Sequence, residues 1–324
     1  MWYDTTPRGA IFNKKYYLCF FGRSKYIHAM FVMYFIMFLI AIFAGFFGAL
    51  VGIGGGIVIV PALSIIFHLP IHTAIAASIV SVIATSIAGA RSYVDQQITN
   101  VRLGMFLEIS TTLGALVGAI IGVMVHGWIL AVTFAALIFY MAVVSFRTRK
   151  ADDKMIESGA FNSAVSSDKI SRSLRLTGNY HDAAMQREVG YQATRAIQGS
   201  LISSIAGIGS GMLGIGGGVI KVAAMNSIMG IPMKVAVATS KFMIGVTAAI
   251  SAVVYFIAGG INFYVVAPVA LGTMLGATFG SAVMNKLKSR VIKTIFFVLM
   301  IYLGYQMLAK GLSSGLNINL PGLL

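Results

Sequence analysis

Two runs of glycine, Gly52-Ile53-Gly54-Gly55-Gly56 and Gly214-Ile215-Gly216-Gly217-Gly218, are the residues in this chain best suited to hold a small ligand. Glycine permits positive φ and close backbone approach, and the free N–H groups that open a following helix favour an anion. The competing reading is that the glycines only let helices pack tightly. Neither run is followed by Gly-Lys-Ser/Thr, so neither is a nucleotide-phosphate loop. Two lysines lie just beyond. Lys221 falls one turn into the segment after the second run, and Lys241 falls about 14 Å into the next apolar segment, counted from Pro232. A cation in apolar surroundings needs a partner or a water-filled cavity, and Glu108 from the other half of the chain or a bound anion would serve. Snorkelling to an interface, or bonds to helix-end carbonyls, are the structural alternatives. Small hydroxyls, Ser78 and the pair Thr239-Ser240, fall where the next segments approach the glycines. They either donate to oxyanion oxygens or bond back to their own backbone. The candidate anion-binding set is therefore Gly54, Gly55, Gly56, Ser78, Gly216, Gly217, Gly218, Lys221, Thr239, Ser240 and Lys241.

The elements that must position these residues are membrane helices. The 324 residues are 58% hydrophobic and 10% charged, with a mean hydropathy of +0.89, a composition outside the range of soluble domains. Of nine acidic residues, none follows Glu188. That distribution excludes paired-carboxylate catalysis and an oxygen cage for a divalent metal. A single cysteine, Cys19, excludes an internal disulfide and a thiolate zinc site. His68 and His72 are split by Pro70 and do not share a helix face, so no metal and no cofactor is expected. The net charge of +15 reflects basic clusters beside apolar segments, which meet lipid head groups rather than nucleic acid.

Apolar stretches run at 28–50, 53–67, 71–93, 103–125 and 127–146, and again at 196–213, 215–229, 232–257, 262–285 and 291–310. The stretches 53–67 and 215–229, about 15 residues and roughly 22 Å each, are too short for a core of about 30 Å and are broken or re-entrant. The expected organisation is an N-terminal segment (1–27), a first membrane repeat (28–146), a cytoplasmic loop (147–195), a second membrane repeat (196–310) and a C-terminal tail (311–324). The loop, polar and of mixed charge, is expected to bury no core and to be dispensable for function.

The halves are copies. One register of 162 residues maps the first glycine run onto the second, and also Pro70 onto Pro232, Ser78 onto Ser240, Asn100 onto Asn262 and Gly114 onto Gly276. At the positions of Lys221 and Lys241 the first half has Ile59 and Ile79, so a charge-assisted site would be single and asymmetric. The loop from Arg91 to Arg102 is charged, whereas its counterpart at Gly259–Asn262 is not; the turn His126-Gly127-Trp128 lacks Lys and Arg, whereas Lys286, Lys288, Arg290 and Lys293 crowd the equivalent region. Basic short loops stay cytoplasmic, so equivalent loops belong on opposite sides. The expected fold is all-α and polytopic, with two inverted repeats of about five helical segments each and short Gly-broken or re-entrant helices. Five crossings per half place both termini outside, while the basic N-terminal segment favours the cytoplasm, so the helix count stays open. Gly114, Gly118 and Gly122, and likewise Gly272, Gly276 and Gly280, form small-residue faces for close helix packing.

The doubled Gly-Ile-Gly-Gly-Gly, the following Val60-Pro61, the turns with Pro70 and Pro232 and the Ala-Thr-Ser at 238–240 resemble the TauE/SafE family of sulfite and organosulfonate exporters. The likeness covers about 40–145 and 196–310. Ala223, where that pattern suggests proline, and Lys221 and Lys241, at positions usually apolar, depart from it. The resemblance implies a multi-pass carrier in the cell (plasma) membrane, not an enzyme, moving small sulfur-containing anions such as sulfite, sulfoacetate or thiosulfate. It also implies proton coupling, for which Glu108, the one acid inside an expected span, is the candidate. A passive anion channel, or an importer of another small anion, is the alternative. Expected partners are a small inorganic or organosulfonate anion, membrane lipid and, as an option, a second copy of the chain in a homo-oligomer.

Overall fold

The computed structural model describes residues 23–51, 54–95, 97–157, 169–174, 176–182, 187–284 and 289–316. Most of the N-terminal segment, Gly52, Ile53, Lys286 and Lys288 lie outside them. The first half consists of α1 (Arg23–Val51), a short α2 (Gly56–Pro61) that widens into a π-helical turn at Ala62–Ile66, α3 (Ile71–Asp95), α4 (Val101–Met124) and α5 (Gly127–Glu157). The second half repeats the order: α7 (Ala196–Leu213), a short α8 (Gly218–Ser227), α9 (Met233–Ile257), α10 (Phe263–Met284) and α11 (Ser289–Leu316). The protein is an all-α polytopic membrane protein: six of the described helices are long and apolar enough to cross a bilayer. Their outward faces expose Phe31, Ile109, Leu113 and Phe279, as a lipid-facing surface requires.

Helices interleave across the halves. α1 packs along α10, α7 packs along α4, α5 along α11, and α3 and α9 pack on each other at the centre. Exchanging the halves leaves this set of pairings unchanged. The contacts depend on glycine. A Cβ on Gly118 would strike the backbone of Ile208, and one on Gly276 the backbone of Ile42; Gly207 and Gly211 approach the carbonyls of Thr111 and Ala115 in return. Lipid tails supply no hydrophobic drive between helices, so this close backbone approach is what holds the pairs together. Both expected small-residue faces act in this way.

The turn at 258–262 lies beside Ala76, near the start of α3, and the chain from 97 to 100 follows its other end. Gly127, at the start of α5, meets Ile71 and His72 at that first end, where His72 Nε2 and the Val125 carbonyl are 3.0 Å apart. His68, in the turn before Pro70, adopts a left-handed φ of 51°. Among the described residues no group of His, Cys, Asp and Glu could hold a metal ion.

The segment between the halves differs from the expectation of a loop that buries nothing. α5 runs on to Glu157, α6 (Lys169–Ser173) follows, and β1 (Thr177–Asp182) pairs antiparallel with β2 (Arg187–Gln192), Tyr180 opposite Val189. Leu176, Tyr180, Tyr191 and Ala193 are buried in one cluster with Leu103 and Leu107 of α4 and Met225, Met229, Ile231 and Val235 around the α8–α9 turn. Asn100 Nδ2 donates to the Tyr191 hydroxyl at 3.0 Å, and burial raises the Tyr191 phenol above its usual pKa. A few apolar and aromatic residues with period 2 suffice to dock a hairpin, although the segment's mean composition is polar. Deleting 177–192 is therefore expected to lower the yield of folded protein severalfold. Tyr191→Phe, which removes one neutral hydrogen bond, should cost about 1 kcal/mol. Thermal unfolding of the detergent-extracted protein measures both.

Candidate functional site

The two glycine breaks have the same backbone form. Gly54 and Gly55 take φ of 87° and 80°, and Gly216 and Gly217 take 83° and 63°, a region that L-residues with a Cβ rarely enter. Gly55 and Gly217 are the residues from which α2 and α8 start. The breaks meet at the centre of the molecule. A Cβ on Gly56 would lie 2.8 Å from Ser78 Oγ and 3.1 Å from Ile215 Cα, so only glycine permits the crossing. Both short helices thus end inside the bundle, α8 spanning only about 15 Å. At the far end of the first, Lys310 Nζ donates to the Ser64 carbonyl, a cation on otherwise orphaned helix-end groups. A narrow void, lined by Ile79, Ser210, Gly214, Gly216, Ala248 and Ser251, borders the second break; it admits no water-sized sphere.

The hydroxyls hold these breaks in place. Ser78 Oγ donates to the Gly214 carbonyl at 2.8 Å, and Ser240 Oγ donates to the Gly218 carbonyl at 3.4 Å. Thr85 Oγ1 donates to the Gly54 carbonyl at 2.9 Å. Ser78 and Ser240 thus bond to the backbone of another segment rather than to their own helix. Thr239 faces elsewhere: its Oγ1 accepts from the Asn100 N–H at 3.1 Å, and its methyl lies toward Gly104. Successive residues on a helix point about 100° apart, so Thr239, Ser240 and Lys241 do not converge on one spot.

The lysines have different environments. Lys221 is fully buried, 3.7 Å from Glu108 Oε2, and donates to Thr247 Oγ1 at 2.8 Å. Thr247 Oγ1 donates in turn to Glu108 Oε1 at 2.6 Å, as does Thr112 Oγ1 at 3.1 Å. Of the two partners open to these lysines, Lys221 has the carboxylate. Lys241 is 1% exposed, and among the described residues its Nζ has no hydrogen-bond partner. Its ammonium lies against Gly89, one turn along α3, about 6 Å, from the Thr85–Gly54 contact. Thr85, Ser86, Gly89, Thr112 and Thr247 were not singled out by type or spacing. The repeat register carried a signal for two of them, since it maps Thr85 onto Thr247.

A family model described as Sulfite exporter TauE/SafE matches residues 37–307. The chain belongs to this family. The TauE/SafE match takes in both glycine breaks, Glu108, Lys221 and Lys241. Among curated proteins the chain is similar to "Probable membrane transporter protein YunE" of Bacillus subtilis (strain 168), 27% identical over 286 residues, 86% of this chain and 98% of that one. It is also similar to "Probable membrane transporter protein YdhB" of the same organism, 24% identical over 263 residues, 81% of this chain and 94% of the other. No solved structure matches the chain. Family and relatives are membrane transporters, not enzymes, and this TauE/SafE chain is a multi-pass membrane transporter.

Proposed function

We propose that this TauE/SafE member is a secondary transporter that exports small sulfur-containing anions, such as sulfite, sulfoacetate or thiosulfate, by alternating access coupled to protons. The observation that carries the reading is Lys241, a buried ammonium without a carboxylate partner among the described residues, beside Gly89 and one turn along α3 from the contact of Thr85 with the first glycine break. A buried charge is tolerated when something neutralises it, and a transported anion does so. The glycine backbones give an anion the close approach that side chains deny. Matching broken helices at the interface of two repeats are the usual site of a secondary carrier. Glu108, tied to Lys221 and Thr247 across the halves, is the candidate for proton coupling.

The repeats are proposed to be inverted. In support, the equivalent turns at 97–100 and 259–262 fall toward opposite ends of α3. In a cysteine-labelling experiment, Trp128→Cys and Ile261→Cys should react from outside and Gln97→Cys only from inside. Labelling of positions 97 and 261 from the same side would overturn the inversion. Function is tested by flux of labelled sulfite, thiosulfate, sulfoacetate and chloride in proteoliposomes under imposed pH gradients. Accumulation driven by the gradient is expected for at least one of the sulfur anions; gradient-independent flux rising linearly with concentration would instead indicate a channel.

A further inference from the structure

The void at the second glycine break is lined by Ile79, Ser210, Gly216 and Ser251, among others. Carried through the 162-residue register, these positions become Lys241, Gly48, Gly54 and Gly89. The residues at those positions also come together. A Cβ on Gly89 would lie 2.9 Å from Lys241 Nζ and 3.1 Å from its Cδ, Gly54 faces Ile244, and Gly48 adjoins the backbone of Gly54 and Gly55. Ser86 Oγ donates to the Lys241 carbonyl on the same side. Where one half has a void, the other has the Lys241 side chain, admitted because Gly89 lacks a Cβ that its counterpart Ser251 carries.

We infer that the first glycine break holds the one charged half-site of the transporter, formed by Lys241 against Gly89, and that it selects anions bearing a single negative charge. This rests on the anion-transport reading. The charge balance follows from the helices packed on α9. On α3, Arg91 and Asp95 are exposed and pair with each other at 4.0 Å, the buried Tyr93 lies near them, and His72 is at the opposite end. On α4, Arg102 is exposed and Glu108 is engaged with Lys221 of α8; α7 carries no charged residue. Lys234, at the start of α9, is exposed; Lys221 and Glu108 offset each other, which leaves Lys241 as a buried cation with no hydrogen-bond partner among the described residues. A monoanion neutralises it. A dianion, as thiosulfate and sulfoacetate are at neutral pH, would leave a net charge buried in low dielectric, weakening binding by about a hundredfold or more, so the inference narrows the proposed substrates to singly charged ones such as hydrogen sulfite.

The test uses the full chain in proteoliposomes, following counterflow of labelled sulfite at neutral pH. Methanesulfonate, singly charged throughout, is expected to compete, and sulfate, doubly charged, to compete about a hundredfold less well. Gly89→Ala, which pushes on the ammonium, is expected to raise the KM for sulfite about tenfold with kcat retained. Sulfate competing as well as methanesulfonate overturns the selection for one charge while leaving an anion carrier in place. An unchanged KM in folded Gly89→Ala overturns the half-site. Absence of any sulfite counterflow by the folded wild-type protein overturns the transport reading, and this inference with it.

Discussion

Glu108→Gln is expected to destabilise the protein by about 3–5 kcal/mol, because it leaves the fully buried Lys221 as an ammonium without a countercharge. The cost should fall toward the lower end of that range, since Thr247 still accepts a hydrogen bond from Lys221 and side-chain bonds within membranes are individually modest. The double variant Glu108→Gln with Lys221→Met should recover most of the loss, because removing both members of a buried pair is often neutral. Unfolding midpoints of the two single variants and the double variant measure the coupling. A double variant destabilised by the sum of the two single effects would mean that the 3.7 Å contact carries no coupling. In the fraction that folds, Glu108→Gln should exchange anions across the membrane yet no longer respond to a pH gradient, which separates proton coupling from anion binding.

Lys241→Met should do the opposite: leave the fold intact and weaken anion binding about ten- to a hundredfold, the worth of a charge-assisted hydrogen bond. No carboxylate among the described residues is abandoned by this substitution, and a buried charge without a partner there is removed, so stability should hold or rise. Lys241→Arg should keep part of the affinity with altered selectivity, because a planar fork replaces a compact ammonium. The readout is the KM for sulfite in proteoliposomes beside the unfolding midpoint of the same sample. Unchanged KM, or unfolding of Lys241→Met itself, would make Lys241 a structural cation and move the anion site elsewhere. The structure already separates the two lysines by partner, so the variants should fall into different classes.

Much of the architecture was legible in the residues. Apolar stretches marked the helices, although α5 runs on to Glu157, past the expected end at 146, because hydropathy is a property of the local chain and a bilayer of fixed thickness sets the length of its apolar part. The short α2 and α8 followed from the glycine runs and from the length of what came after them. The Gly114–Gly122 and Gly272–Gly280 faces were readable because a four-residue spacing between small side chains has few other uses in a membrane helix. The docked hairpin was missed. Leu176, Tyr180 and Tyr191 are a handful of apolar residues in a polar segment, and averaging composition over that segment hid them.

The sequence by itself determined that this chain spans a membrane, that it is doubled, that both copies break at glycines, and that its one intramembrane acid and two central lysines need partners. These are matters of composition, repetition and local geometry. Only the tertiary structure decided how the partners were assigned. Glu108 goes to Lys221, more than a hundred residues away in the chain, and Lys241 goes to the space beside Gly89. Ser78 and Ser240 turn their hydroxyls to the glycine backbone of another segment, and Thr239 turns to Asn100 at the end of the bundle. Such choices depend on which helix faces which, and that is fixed by glycine-mediated packing between halves rather than by any spacing along one of them.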